Sequence, residues 1–166
     1  SGKHMRRNKL KKPEFSPDFQ DMIDCLIAEG AEFLIVGGYA MAVHGYIRAT
    51  GDLDIFVNPD HSNAERVYRA LVRFGAPLKD ISADDFKVAG TIYQMGLPPF
   101  RIDIITMIEG VSFDEAFRES LRVGNEDTSV PFLSLKHLIA NKLATGREKD
   151  ALDVKEMKKL LLKNNE

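Results

Sequence analysis

The stretch from Phe33 to Val57 limits the fold of this chain more than any other. Phe33-Leu34-Ile35-Val36 is short, apolar and β-prone, the pattern of a buried strand within a segment read as 32–36. Gly37-Gly38 breaks it, residues 39–44 fit a short helix, and Gly45 ends that helix. A loop through Arg48, Thr50 and Gly51 leads to a second strand over 53–57, closed by Asn58-Pro59-Asp60. Side chains alternate along a strand, so Asp52 and Asp54 point to one face while Leu53 and Ile55 point to the other. Two carboxylates placed this way sit about 7 Å apart and repel each other unless a cation lies between them. Oxygen ligands of this kind suit Mg²⁺ or Mn²⁺ rather than zinc.

A third acidic residue lies on another predicted strand, 100–106, where Asp103 shares a face with Arg101 and Ile105. An aspartate between isoleucines is unusual, because burying a charge without a partner is costly. If the two strands are sheet neighbours, Asp103 completes a three-carboxylate cluster able to hold two metal ions. Such a pair stabilises both the attacking and the leaving oxygen of an in-line phosphoryl displacement. Taken singly, Asp52-Leu53-Asp54 also fits a strand-edge turn, and Asp103 fits a salt-bridged core residue.

The glycines add a constraint. A strand running into Gly37-Gly38 and then a helix exposes backbone N–H groups that can cradle phosphate. Thirteen residues, 39–51, separate Gly38 from Asp52. No Gly-Lys-Ser/Thr follows, so this is not a P-loop, and the spacing is not that of a Rossmann fingerprint.

The remaining elements expected are helices over 17–29, 62–74 and 113–119, a strand over 91–95, an extended piece over 128–132, and helices over 134–145 and 148–163. The order predicts an α/β (α+β) fold, a small mixed sheet flanked by helices with C-terminal helices. A basic N-terminus over 1–16 is expected to be disordered, with Ser1-Gly2-Lys3-His4 read as an expression scar. The catalytic core is expected over 17–132, with a helical segment over 133–166 packed on it. Arg6, Arg7, Lys9, Lys11 and Lys12 read as a solvated terminus, or as an arm touching a phosphate backbone. A formal net charge of -2 argues against coating nucleic acid by bulk electrostatics. The one cysteine, Cys25, excludes a disulfide within the chain and reads as a small buried hydrophobe. No apolar run reaches the roughly 18–20 residues of a membrane span, so no membrane partner is expected and a cytoplasmic location is the default.

The pattern Val36-Gly37-Gly38, Asp52-Leu53-Asp54-Ile55 and Ile102-Asp103-Ile104 resembles the nucleotidyltransferase superfamily related to DNA polymerase beta, over residues 33–106. Further on, Lys142, Arg147, Lys149, Asp150 and Asp153 are similar to the Lys…Arg-x-Arg/Lys-Asp-x-x-Asp motif of the AbiEii-type branch, which includes toxins of toxin–antitoxin and phage-defence systems. The resemblance implies a magnesium- and NTP-dependent transferase in which Asp52, Asp54 and Asp103 bind metal and Asp103 also helps activate an acceptor hydroxyl. It implies that Lys142 and Arg147 contact nucleotide phosphates. Gly37, Gly38, Tyr39 and Arg48 are further candidate nucleotide contacts, with Lys149, Asp150 and Asp153 in support. Many members of the superfamily carry a serine near the second glycine, where this chain has Gly38 and then Tyr39. Read without the resemblance, Arg147 and Lys149 fit near-neighbour ion pairs with Asp150 and Asp153. His44 fits a packing or surface residue.

The function expected is transfer of a nucleoside monophosphate from an NTP to a hydroxyl acceptor, with RNA or tRNA favoured and a cognate antitoxin as a further partner. The alternatives are modification of a small molecule of the antibiotic type, and a non-catalytic binding protein that keeps the fold.

Overall fold

The computed structural model describes residues 13–46 and 51–164. The first helix, α1 (Pro17–Ala28), starts where Ser16 Oγ accepts the Phe19 N–H and Pro17 occupies the first turn. It buries Phe19, Met22, Ile23, Cys25 and Leu26, the spacing of one helical face. Strand β1 (Phe33–Val36) is buried throughout and passes directly into α2 (Gly37–Val43). Helix α2 therefore starts two residues before the expected Tyr39. Gly37 makes this possible, because its φ of 66° turns the chain without a loop.

Strand β2 (Leu53–Val57) has the expected bounds, and α3 (His61–Phe74) follows, capped by Asp60 Oδ2 accepting from the Asn63 backbone. The buried Asn63 side chain then bonds three backbone groups, accepting from Glu32 N and donating to Glu32 O and Asn58 O. It ties α3 to the start of β1 and the end of β2. Helices α1 and α3 pack together, and α3 also packs on a short 3-10 turn over Ala83–Lys87 that the sequence reading did not anticipate.

A hairpin over residues 96–101 joins β3 (Ile92–Met95) and β4 (Ile102–Ile105), which pair antiparallel. Helix α4 (Phe113–Arg118) leads into β5 (Leu121–Val123) and β6 (Val130–Phe132). Helices α5 (Leu135–Thr145) and α6 (Ala151–Asn164) complete the described chain, with a 3-10 turn over Glu148–Asp150 where the sequence pointed to continuous helix. Thr145 is followed by Gly146 at φ 64°, which ends α5.

The six strands form one mixed sheet in the order β3-β4-β2-β1-β6-β5. The central β2 pairs antiparallel with β1 and parallel with β4. Inner sheet residues such as Leu34, Ile35, Leu53, Ile55 and Ile104 are fully buried. They belong to one core with Met22, Leu26, Leu71, Leu138 and Met157 from the helices. Cys25 is buried in that core, as expected. Among the described residues, no helix is long and apolar enough to cross a membrane.

Candidate active site

The pairing of β2 with β4 sets Asp54 directly opposite Asp103. Asp52 stands just before β2, two residues from Asp54 and on the same side. The strand neighbourhood on which a three-carboxylate cluster depended is therefore present. Asp103 is buried, at 7% exposure, whereas Asp52 and Asp54 are partly open.

Arg101 joins the group from β4's own approach. Its guanidinium donates to Asp52 Oδ2 at 2.8 Å and to Asp103 Oδ1 at 3.1 Å, clamping two of the three carboxylates. Gln94, opposite Asp103 on β3, directs its amide to Asp103 Oδ2 at 3.5 Å. Even so, the Asp54 carboxyl is pushed up to about 6. Burial is the main cause, followed by the charges of Asp103 and Asp52 and a hydrogen bond with Asp103, and Arg101 only partly offsets them. Burying an acid beside two others gives a site where added positive charge is strongly favoured.

Gly37 faces the same cluster. A Cβ at this position would meet Asp54 Oδ2 at 2.5 Å, so only a residue without a side chain lets α2 start against the carboxylate. Gly38 follows it in the first turn of α2. Tyr39 packs its ring on Phe15 and Phe19, at centroid distances of 5.1 and 5.9 Å, and burial raises its hydroxyl. His44, at the other end of α2, donates from Nε2 to the Leu133 carbonyl at 2.9 Å, a packing role.

The C-terminal motif forms a second polar knot. Lys142 Nζ lies 3.1 Å from Asp150 and 3.5 Å from Asp153, both buried. Arg147 Nε donates to Asp150 at 2.7 Å, and Thr145 Oγ1 reaches the same carboxylate. Burial alone would raise Asp150, but the hydrogen bonds from Arg147, Lys142 and Thr145 outweigh it and hold the carboxyl below its ordinary value. Lys149 is exposed. Tyr46, just past α2, donates its hydroxyl to Asp153. Helix α2 thus touches the aspartate cluster through Gly37, and the residues just after it touch the Lys142 knot. Arg48 lies outside the described residues, as do the basic residues 6–12.

No family model matches the chain, and no curated protein does. A solved structure does: a protein from Thermotoga maritima described as a "putative nucleotidyltransferase" superposes with a TM-score of 0.57 at 18% identity, covering 83% of this chain and 88% of that one. The chain has a nucleotidyltransferase fold.

Within that fold, the sequence pattern located the three aspartates and the glycine turn but passed over Arg101 as a site residue. Its signal was available, since residues two apart on a strand share a face and Arg101 precedes Asp103 by two. Gln94 and Tyr46 carried no such signal. The first depends on strand register and the second on a contact spanning 107 positions.

Proposed function

We propose that this chain is a metal-dependent nucleotidyltransferase that moves a nucleoside monophosphate from an NTP to a hydroxyl acceptor. The observation that carries the reading is the register that sets Asp54 against Asp103 with Asp52 alongside. An all-oxygen donor set whose middle carboxyl is pushed up to about 6 by its neighbours fits a hard divalent cation such as Mg²⁺ or Mn²⁺. Asp52, Asp54 and Asp103 would hold that cation. When bound, it supplies charge neutralisation at the phosphates and at the oxygens of the displacement.

The remaining work falls to the chain. The backbone of Gly37 and Gly38, free of side chains, lets a phosphate approach the carboxylates. Asp103 takes the proton of the acceptor hydroxyl as its oxygen bonds to the α-phosphorus and the bond to the β-phosphate oxygen breaks, releasing pyrophosphate. Arg48, Lys142 and Arg147 are the proposed phosphate contacts, with Tyr39 beside the turn, Asp150 and Asp153 holding Lys142 and Arg147 in place, and Lys149 as a further supporting cation. RNA, in particular a tRNA end, is the favoured acceptor, on the likeness of the segment from Lys142 to Asp153 to the AbiEii-type motif, and a cognate antitoxin is the partner that goes with it.

Incubation of the chain with each labelled NTP, Mg²⁺ and total tRNA tests this reading. Label on RNA is expected, and Asp52→Ala and Asp103→Ala should remove it. Label confined to a small hydroxylated compound would move the acceptor to the antibiotic type. Failure of transfer with all four NTPs, with no metal-dependent NTP binding by calorimetry, would overturn the enzyme.

A further inference from the structure

We infer that Glu115, Glu119 and His137 form a zinc-binding site separate from the aspartate cluster. Glu115, in the first turn of α4, and Glu119, the residue that caps its C-terminus, are four positions apart, so their carboxylates project to the same side. His137 comes from the first turn of α5 and is 5% exposed. Its Nε2 lies 3.4 Å from Glu119 Oε2 and 4.0 Å from Glu115 Oε1, and the three donor atoms lie within 4.8 Å of one another.

The ring is held from behind. His137 Nδ1 is 2.8 Å from Ser134 Oγ, the same oxygen that accepts the His137 backbone N–H at 3.1 Å. That hydroxyl can also accept from Nδ1–H, the tautomer that would leave the Nε2 lone pair for a cation held between the ring and the two carboxylates. This is the support a metal-binding imidazole uses to fix its tautomer. Without a metal, one imidazole nitrogen carries at most one proton for two carboxylates, and Lys136, 3.5 Å from Glu119, serves that glutamate from outside. A divalent cation serves all three donors at once.

The spacing suits zinc. With bonds of about 2.0–2.1 Å, neighbouring ligands of a tetrahedral zinc stand about 3.3 Å apart. The Glu119–His137 separation of 3.4 Å already matches, and Glu115 closes by about 0.7 Å on His137 and by up to about 1.5 Å on Glu119, which its half-exposed side chain allows. One imidazole and two carboxylates fit zinc better than Mg²⁺, which prefers oxygen and retains its water. Three protein ligands leave a fourth position open to solvent.

The site stands apart from the aspartates. Phe113, the first residue of α4, packs its ring on Phe56, and Asp114 lies 3.5 Å from Asn58 Nδ2, at the end of β2 opposite Asp52. Zinc there would tie α4 to the start of α5, the helix that carries Lys142. This inference does not rest on the proposed transferase activity.

Calorimetry with Zn²⁺ on the full chain in excess Mg²⁺, with Co²⁺ absorption as a second readout, tests it. One Zn²⁺ per chain is expected, with a tetrahedral Co²⁺ spectrum. Glu115→Gln with Glu119→Gln, both on exposed positions, should weaken Zn²⁺ on the order of 100-fold or more and abolish the spectrum. His137→Gln should do the same, and the double glutamine variant guards against a folding defect at the buried ring. Absence of Zn²⁺ binding to the unmodified chain would overturn the site. So would binding left unchanged by the double substitution.

Discussion

A Cβ on residue 37 would stand 2.5 Å from Asp54 Oδ2, so the glycine and the carboxylate share one space. Gly37→Ala therefore meets two penalties, the strain of an L side chain at φ 66° and a contact that Asp54 must yield to. Gly30→Ala is the matched control, because its φ is 68° and nothing lies within 4 Å of its added Cβ. Gly30→Ala should lose roughly 1 kcal/mol from strain. Gly37→Ala should lose clearly more and also lose Mg²⁺-dependent nucleotide binding. Urea unfolding and calorimetry on the two variants check this, and equal losses would remove the special role of residue 37.

Asp54 makes the metal-free protein pH-sensitive in an unusual direction. Its folded value of about 6 lies above the ordinary 3.8, so the folded state binds the extra proton between those values. That contribution is fully favourable below the lower value and is lost as pH rises through the upper one. Asp54→Asn should therefore stabilise the EDTA-treated protein near pH 7 by roughly 1–3 kcal/mol while abolishing transfer. Unfolding midpoints across pH 4–8 measure it, and an unchanged pH slope in the variant would count against the assignment.

Arg101 bridges Asp52 and Asp103, and its removal should be felt most when no metal is present. Arg101→Met is expected to cost roughly 1–3 kcal/mol in EDTA. Mg²⁺ should then raise the variant's melting temperature by more than it raises that of the unmodified chain. A metal-independent loss would assign Arg101 to packing instead.

Lys142 sits between two buried carboxylates, so Lys142→Met should destabilise the fold by roughly 3 kcal/mol, apart from any effect on phosphate. Activity loss in that variant is informative only beside its stability. Lys142→Arg keeps the charge and should recover most of the melting temperature. If Lys142→Met melts like the unmodified chain, the knot with Asp150 and Asp153 is not a stabilising one.

Asn63→Ala removes three backbone partners at once from the junction of α3, β1 and β2. It should lower stability by roughly 2–4 kcal/mol, visible as a shifted unfolding midpoint. A shift within error would mean that water replaces the side chain.

These expectations draw unequally on sequence and structure. Asp52, Asp54 and Gly37 were readable because strand alternation and glycine placement are local properties. Asp103 was readable as an odd residue among isoleucines, but its partnership needed the parallel pairing of β2 and β4. Strand β5 escaped because Leu121–Val123 is three residues long and owes its extended form to β6 rather than to its own pattern. The start of α2 was misplaced because glycine propensity alone argues against helix, and only the tertiary position of Gly37 reverses it. Lys142 and Asp150 were visible as a motif, whereas Tyr46 reaches Asp153 through a contact no local window contains.

The alignment of β2 with β4 has a consequence for molecules that fold wrongly. A slip of one residue in either strand would turn Asp54 or Asp103 toward the side where Leu53, Ile55 and Ile104 are completely buried. It would also turn those apolar residues toward the face that carries the carboxylates. A misaligned sheet is then unstable for the same reason that its carboxylates are parted, so the population of folded chains contains few in which Asp54 and Asp103 do not face each other. Correct assembly of the sheet acts as proofreading of its carboxylate cluster.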